Sequence, residues 1–147
     1  MIGYFDTSAF VPLLVVEPGS ALCRRLWDES DAVATSRLLY VESAVALAQA
    51  LRLGRLAERD HRSALRLRDR LWAELAIVEA DEVVVSRAAE LVRICALRGY
   101  DAMHCASAEQ FDDDDLVVAS GDRRLLEACA ALGMSTADTT TDDGEVL

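Results

Sequence analysis

Short apolar stretches alternate along this chain with longer segments that have helical periodicity. The apolar stretches are brief and almost free of charge, which is typical of parallel strands buried on both faces. They predict strands at residues 2–5, 31–36, around Ile77, at 115–120 and, as an edge strand, at 134–137.

Between these stretches the apolar residues recur with the period of an amphipathic helix. The punctuation agrees with this interpretation, since Pro18 with Gly19, Gly54, Gly99 and Gly133 each stand where a helical segment begins or ends. The predicted helices cover residues 8–14, 20–29, 37–53, 57–73, 83–97, 101–111 and 123–132. Strands that alternate with helices predict an α/β fold with a parallel sheet and helices on both sides.

Composition narrows the class of protein but does not name a function. The chain has 147 residues, which is enough for one domain with a sizeable core. Only 5% of its residues are aromatic, so that core must be mainly aliphatic. No stretch is long and apolar enough for a membrane span, and the first residues lack the pattern of a secretion signal. We therefore expect a cytoplasmic protein. The 4 cysteines are scattered without a C-x-x-C pair, which favours buried reduced thiols over a zinc site.

The charge distribution is uneven. The formal net charge is −11, which taken alone argues against a nucleic-acid partner. All of the basic residues are arginine, however, and many lie between Arg52 and Arg70, while acid is concentrated in residues 112–115 and in the C-terminal tail. A local basic surface can therefore coexist with a negative total. The run of four aspartates lacks the spacing of a calcium-binding loop and is interpreted as a solvated turn.

Four acidic residues stand at positions that need an explanation. Ligands of open parallel sheets bind outside the carboxyl ends of the strands. Asp6 directly follows the first predicted strand, Asp122 follows the strand at 115–120, and Asp101 opens a short helix. Each of the three could also be a helix N-cap. Glu42 lies among apolar helical neighbours, where a lone carboxylate is costly unless it reaches the rim or pairs with Arg37.

Four carboxylates at one edge of a sheet would repel one another, and some would have to take up protons. A divalent cation removes this conflict, and oxygen-only ligands suit Mg²⁺ or Mn²⁺. A site of this kind can lower the pKa of a bound water molecule and neutralise charge on a phosphodiester. The hypothesis from the residues alone is thus a metal-dependent reaction at a phosphate.

Four sequence blocks carry a resemblance to a known family: FDTSAF, YVESAVAL, LRGYDAMHCASA and VVASGDRRLLEAC. Together they resemble the PIN-domain family of metal-dependent ribonucleases, and within it the small VapC-type toxins of bacterial toxin–antitoxin pairs. The resemblance covers nearly the whole chain. It implies a three-layer α/β/α sandwich on a central parallel sheet of four to five strands, with a PIN-like nuclease domain at residues 1–137 and an acidic tail at 138–147.

The resemblance also implies roles for particular residues. Asp6, Glu42, Asp101 and Asp122 would be the catalytic, metal-binding acids, supported by the hydroxyls of Ser8 and Ser120. Apart from the resemblance, the position of Arg123 and Arg124 beside Asp122 allows contacts with RNA phosphates, or equally pairing with acidic residues at the surface. Mg²⁺ or Mn²⁺ would be the cofactor, RNA the substrate, a VapB-type antitoxin the partner, and a homodimer the assembly. Gly121 departs from the pattern and is expected to loosen the hold on Asp122. His104 is interpreted as packing or as support for the acids.

The leading hypothesis is therefore a Mg²⁺-dependent endoribonuclease, the toxic component of a type II toxin–antitoxin pair, that leaves 5′-phosphate and 3′-hydroxyl ends. One alternative is a degenerate PIN-like protein that only binds a regulator. Another is a phosphatase or phosphotransferase with Asp6 as the nucleophile. That chemistry usually needs a second acid two residues later, where this chain has Ser8.

Overall fold

Five strands form one parallel sheet in the computed structural model, which describes residues 1–140. In chain order the strands are β1 (Ile2–Phe5), β2 (Ala32–Ser36), β3 (Ala76–Val78), β4 (Leu116–Ser120) and β5 (Ser135–Asp138). They lie side by side in the order β3-β2-β1-β4-β5. The sheet therefore grows outward from β1, and the carboxyl ends of all five strands meet at one edge.

Helices connect the strands and cover both faces of the sheet. They are α1 (Thr7–Leu14), α2 (Ser20–Glu29), α3 (Leu39–Arg52), α4 (Glu58–Trp72), α5 (Glu82–Ile94), α6 (Gly99–Phe111) and α7 (Arg123–Ala131). Within residues 1–140, no helix combines the length and the apolar character needed to cross a bilayer.

The strand residues point alternately into two separate cores. Tyr4 and Val118 face one core, which is closed by α5, α6 and α7. Phe5 and Val117 face the other, which is closed by α1 to α4. The near-continuous apolar strands are thus explained by burial on both sides. The predicted three-layer α/β/α sandwich is confirmed, with five strands in its sheet.

Several element boundaries differ from the sequence prediction by one to three residues, and three of them have a clear local cause. Helix α3 begins at Leu39 instead of residue 37, because the Ser36 hydroxyl accepts a hydrogen bond from the Leu38 amide in a turn before the helix. Helix α5 ends at Ile94 because Ala96 adopts a left-handed backbone conformation (φ 52°). Helix α6 begins at Gly99, so Asp101 lies in its first turn and is not its cap.

The C-terminal part of the chain is described only in part. Strand β5 extends to Asp138, one residue beyond the predicted end of the nuclease domain. The predicted acidic tail at 138–147 lies mostly at residues 141–147, outside the described residues. The division into a nuclease domain and a tail stays a prediction.

Candidate active site

Asp6 is a buried carboxylate held from three directions. It follows β1 and caps α1, where its Oδ1 accepts hydrogen bonds from the Ala9 amide at 3.0 Å and from the Ser8 hydroxyl at 2.7 Å. Its Oδ2 accepts a hydrogen bond from Ser120 Oγ, at the end of β4, at 2.6 Å. Asp6 therefore caps α1 and also lines the acid cavity, so the two interpretations of this residue do not exclude each other.

Asp122 is held by hydrogen bonds to its side chain and from its backbone. Its Oδ1 caps α7 by accepting from the amides of Arg124 at 2.9 Å and Leu125 at 3.3 Å. Its own amide donates to Ser120 Oγ at 2.9 Å. The prediction that Gly121 loosens this turn is wrong, because the Gly121 amide donates to Ser8 Oγ at 2.7 Å and ties the turn to α1.

Ser8 and Ser120 connect Asp6 to the turn that precedes α7, and their predicted supporting role stays a prediction. Their Oγ atoms lie 3.3 Å apart, and both donate to the Asp6 carboxylate. A Cβ added at Gly121 would lie 3.3 Å from Thr139 Oγ1 and 3.5 Å from Ser8 Oγ, so a larger residue there would crowd the network. Glycine thus tightens this corner of the site.

Glu42 pairs with a histidine and not with Arg37. His104 Nε2 lies 2.7 Å from Glu42 Oε1, and His104 Nδ1 lies 2.8 Å from the Tyr4 hydroxyl. If Tyr4 donates to Nδ1, the proton on Nε2 faces the carboxylate. Arg37 instead pairs with Glu79. The His104 side chain is only 3% exposed, so Glu42 projects from α3 toward the site with a buried anchor behind it.

Asp101 has the least support of the four acids. No hydrogen bond or ion pair within residues 1–140 satisfies its half-buried carboxylate. Burial is the largest cause that raises the pKa of Asp101, and the negative charges of Asp122, Asp6 and Glu42 raise this pKa further. Burial also raises the pKa of Asp6, against the opposing effects of His104 and the two serine hydroxyls. The other three carboxylates are therefore close enough to Asp101 to raise its pKa.

All four predicted acids line one open cavity of about 410 Å³ at the carboxyl edge of the sheet. Its wall also contains Thr7, whose Oγ1 is buried and has no hydrogen-bond partner. Within residues 1–140, however, no three histidine, cysteine, aspartate or glutamate side chains approach closely enough to hold a metal ion. The acids share a cavity, but the side chains as they stand do not form a closed ligand set.

The cavity nevertheless fits a hard divalent cation in its chemistry. Its charged donors are carboxylate oxygens, which Mg²⁺ and Mn²⁺ prefer. The unpartnered Thr7 hydroxyl beside them is an unsatisfied polar group of the kind that a bound ligand or water molecule would complete. Neighbouring carboxylates with raised pKa values, such as Asp6 and Asp101, are also typical of functional sites.

Two charged residues near the acids were not predicted. Glu17, in the loop between α1 and α2, lines the acid cavity. Arg98, which precedes α6, lines a second cavity of about 290 Å³ together with Arg123, Arg124, Asp101 and Asp122. Glu17 lies in no element whose periodicity could have singled it out. The predicted contact of Arg123 and Arg124 with RNA stays a prediction, although both lie beside the acids.

The sequence and fold were compared with known proteins. The family model for the PIN domain matches residues 3–131. The chain belongs to the PIN domain family. Ribonuclease VapC45 of Mycobacterium tuberculosis is 45% identical to this PIN domain over 139 residues, which cover 95% of the chain and 96% of the relative. The resemblance to VapC-type members of the family is thereby confirmed.

Solved structures agree with this assignment at the level of the fold. Mycobacterium tuberculosis VapC20, described as a sarcin–ricin loop cleaving toxin, has a TM-score of 0.65 and 20% identity, covering 90% of this PIN domain and 95% of VapC20. VapBC-1 from nontypeable Haemophilus influenzae has a TM-score of 0.62 and 14% identity, covering 96% and 100%. PIN-domain ribonucleases generally use a divalent metal ion. The roles predicted for the individual site residues stay predictions.

Proposed function

We propose that this PIN domain is a metal-dependent endoribonuclease and the toxic component of a type II toxin–antitoxin pair. The single observation that carries the proposal is the shared cavity of Asp6, Glu42, Asp101 and Asp122, in a chain 45% identical to ribonuclease VapC45. The substrate class is RNA with an accessible single strand. The preferred cofactor is Mg²⁺, with Mn²⁺ as a substitute.

Asp6, Glu42, Asp101 and Asp122 would hold the cation. When bound, it would lower the pKa of a water molecule and neutralise charge on the scissile phosphate. The chain's own part is to keep the carboxylates in place before the substrate arrives. Asp6 is fixed by two serine hydroxyls and a helix N-terminus, Asp122 by two backbone amides, and Glu42 by His104.

Arginines near the acids would bind the RNA. Arg123 and Arg124 are exposed in the first turn of α7, directly after Asp122. An arginine guanidinium donates two parallel hydrogen bonds to a phosphate, so these side chains would hold phosphates that flank the scissile one. They would also offset part of the repulsion between the acids and the RNA backbone.

The decisive experiment compares two aspartates that cap helices in the same way. Asp6 caps α1 at φ −81° and ψ −180°, and Asp81 caps α5 at φ −83° and ψ −179°, far from the cavity in the sequence and absent from its wall. Asparagine is also a good N-cap, so both Asp→Asn variants keep a capping side chain. With RNA and Mg²⁺, we expect Asp6→Asn to cut at least about 100-fold more slowly, a loss of several kcal/mol in transition-state stabilisation.

Asp81→Asn should cut at the wild-type rate, and EDTA should stop both the wild type and Asp81→Asn. If Asp6→Asn cuts RNA at the wild-type rate, and EDTA leaves both this variant and the wild type active, the proposed site is wrong. Binding of Mg²⁺ by a wild-type protein that cuts no RNA would instead favour the degenerate alternative. Trapping of an aspartyl phosphate, an acyl phosphate formed on the Asp6 carboxylate, would favour the phosphotransferase alternative.

The proposed partner is a VapB-type antitoxin that occupies the surface beside the acid cavity. A groove of about 1030 Å³ between α1, α3 and α4 adjoins that cavity and shares Val11, Glu17 and Ala46 with it. A partner segment in this groove would therefore end next to the acids and block access to them. A homodimer and a cytoplasmic location complete the proposal.

A further inference from the structure

We propose that an apolar cavity beside the acids is a subsite for one base of the RNA, and that the ring of Tyr100 stacks on this base. The inference rests on the proposed function, because the base belongs to the RNA that the acids would cleave. It adds a residue that recognises substrate and an explanation for a preference for single strands.

The cavity lies between α5 and α6 and has a volume of about 700 Å³. Its wall is mainly apolar and includes Ala88, Val92, Tyr100 and Met103. Tyr100 is 62% exposed and Val92 is 42% exposed, so two large side chains of this wall face the solvent. Within residues 1–140, Tyr100 has neither a hydrogen bond nor a ring contact. An aromatic ring this open is available to stack on a ligand.

The apolar cavity adjoins the candidate active site. Asp101 and Asp122 line it, and the same two carboxylates line the acid cavity. Tyr100 directly precedes Asp101 in the first turn of α6. A nucleotide whose phosphate lies at the acids therefore has this cavity as an immediate neighbour for a base.

The charge around the cavity favours a nucleotide over an uncharged apolar ligand. Arg98 lines the apolar cavity and also the cavity that contains Arg123 and Arg124. Within residues 1–140, none of these three arginines takes part in an ion pair. Arginines and carboxylates suited to a metal ion both adjoin the cavity of the exposed ring, which matches the phosphates and bases that a single strand presents together.

Stacking on Tyr100 requires that the base has left a duplex. A base in a double helix is stacked on both faces and paired at its edge, whereas an unstacked base has a free π-face. Because every base has such a face, the subsite would accept different bases while it rejects duplex RNA. A sequence preference would then come from the fit of the base against Met103 and Val92 in the cavity wall.

The test removes the base and the ring separately and together. The cleavage site is first mapped in a single-stranded RNA, and a series of oligonucleotides then carries one abasic nucleotide at each position around it. The proteins are the wild type, Tyr100→Ala, Tyr100→Phe and the control Leu53→Ala, which removes an apolar side chain of similar exposure, 58%, at the end of α3. Thermal melting checks the folding of each variant, and kcat/KM is measured for each pair.

We expect one abasic position to lower the wild-type kcat/KM by roughly 5- to 100-fold, the range for one base stacked on an aromatic ring. Tyr100→Ala should show a similar loss on intact RNA and no further loss at that abasic position. Leu53→Ala should match the wild type in both respects, and Tyr100→Phe, which keeps the ring, should recover most of the kcat/KM lost by Tyr100→Ala together with the loss at that abasic position.

If the abasic substitution and Tyr100→Ala each lower kcat/KM and their combined loss is the product of the two, the subsite is wrong. An unchanged kcat/KM for Tyr100→Ala would also overturn it. If Tyr100→Ala instead turns a dimer into a monomer and keeps the wild-type abasic profile, the cavity is an interface between copies and the proposal is wrong. Failure of the wild-type protein to cut any RNA is a different result, because it contradicts the proposed function as well as its base subsite.

Discussion

Asp101 combines partial burial with three neighbouring negative charges and no hydrogen-bond donor. Its pKa is therefore raised above the ordinary value of 3.8, and the native state holds a proton there more tightly than the unfolded chain does. By linkage, the free energy of unfolding falls as the pH rises through this pKa, and the penalty is complete above the native pKa. At neutral pH the metal-free protein thus carries a destabilising charge that the proposed metal site would use.

We expect Asp101→Asn to raise the melting temperature of the metal-free protein at neutral pH and to abolish cleavage. The difference in melting temperature should shrink on acidification and vanish below about pH 3.8, where the wild-type carboxyl is protonated in both states. Thermal melts in EDTA across this pH range measure the effect. A variant that is less stable than the wild type at neutral pH would contradict the assigned cause of the raised pKa.

At the scale of single residues, the sequence could place the four acids near one edge of the sheet. It could not identify the side chains that form hydrogen bonds with them. Asp6 and Asp122 are predictable because each follows a strand, and the carboxyl ends of parallel strands share an edge. Glu42 is predictable because a carboxylate on an apolar helix face needs a reason. Its pairing with His104 is not predictable, since the two residues are 62 positions apart and only the packed fold brings them together.

At the scale of elements, His104 joins three parts of the fold. It projects from α6, bonds Tyr4 of β1 through Nδ1 and bonds Glu42 of α3 through Nε2. Its removal leaves a buried tyrosine hydroxyl and the Glu42 carboxylate without these partners. An unsatisfied buried polar group costs about 1–3 kcal/mol. The histidine thus positions the Glu42 carboxylate, and we expect its effect on activity to be indirect.

We expect His104→Ala to lower the free energy of unfolding by about 1–3 kcal/mol and to weaken Mg²⁺ binding measured by calorimetry. His104→Gln, which can donate to Glu42 and accept from Tyr4, should recover part of both losses. Ser43→Ala is the matched control, because Ser43 is buried on α3 and its Oγ donates only to the Tyr40 carbonyl. If His104→Ala binds Mg²⁺ as tightly as this control, the positioning role is wrong.

The element order was predictable because strand and helix periodicities differ clearly, whereas several element ends were not. Whether α6 begins at Gly99 or at Asp101 changes the surroundings of Tyr100, because only the earlier start places its ring on the first turn beside Asp122. The apolar cavity between α5 and α6 is likewise a product of how two helices pack. The periodicity of neither helix predicts that a cavity forms between them.

At the scale of the whole molecule, a net charge of −11 opposes the approach of RNA. Binding must then depend on a few local cations beside the acids, with Arg98, Arg123 and Arg124 as the candidates. The many arginines at 52–70 lie on α3, α4 and the turn between them, none of them on the wall of the acid cavity. A small number of phosphate contacts predicts modest affinity and a shallow dependence on salt.

For single strands, each phosphate contact contributes about 0.7 to the slope of log affinity against log salt concentration. Three arginine contacts therefore predict a slope near −2 for wild-type binding to single-stranded RNA. Arg123→Gln or Arg124→Gln should each make the slope shallower by about 0.7, while Arg62→Gln on α4 should leave it unchanged. Fluorescence anisotropy of labelled RNA at several salt concentrations measures all four slopes. An equal change in slope for Arg62→Gln would move the RNA path away from the acid edge and onto the α4 surface, because counterions are released wherever the phosphates bind.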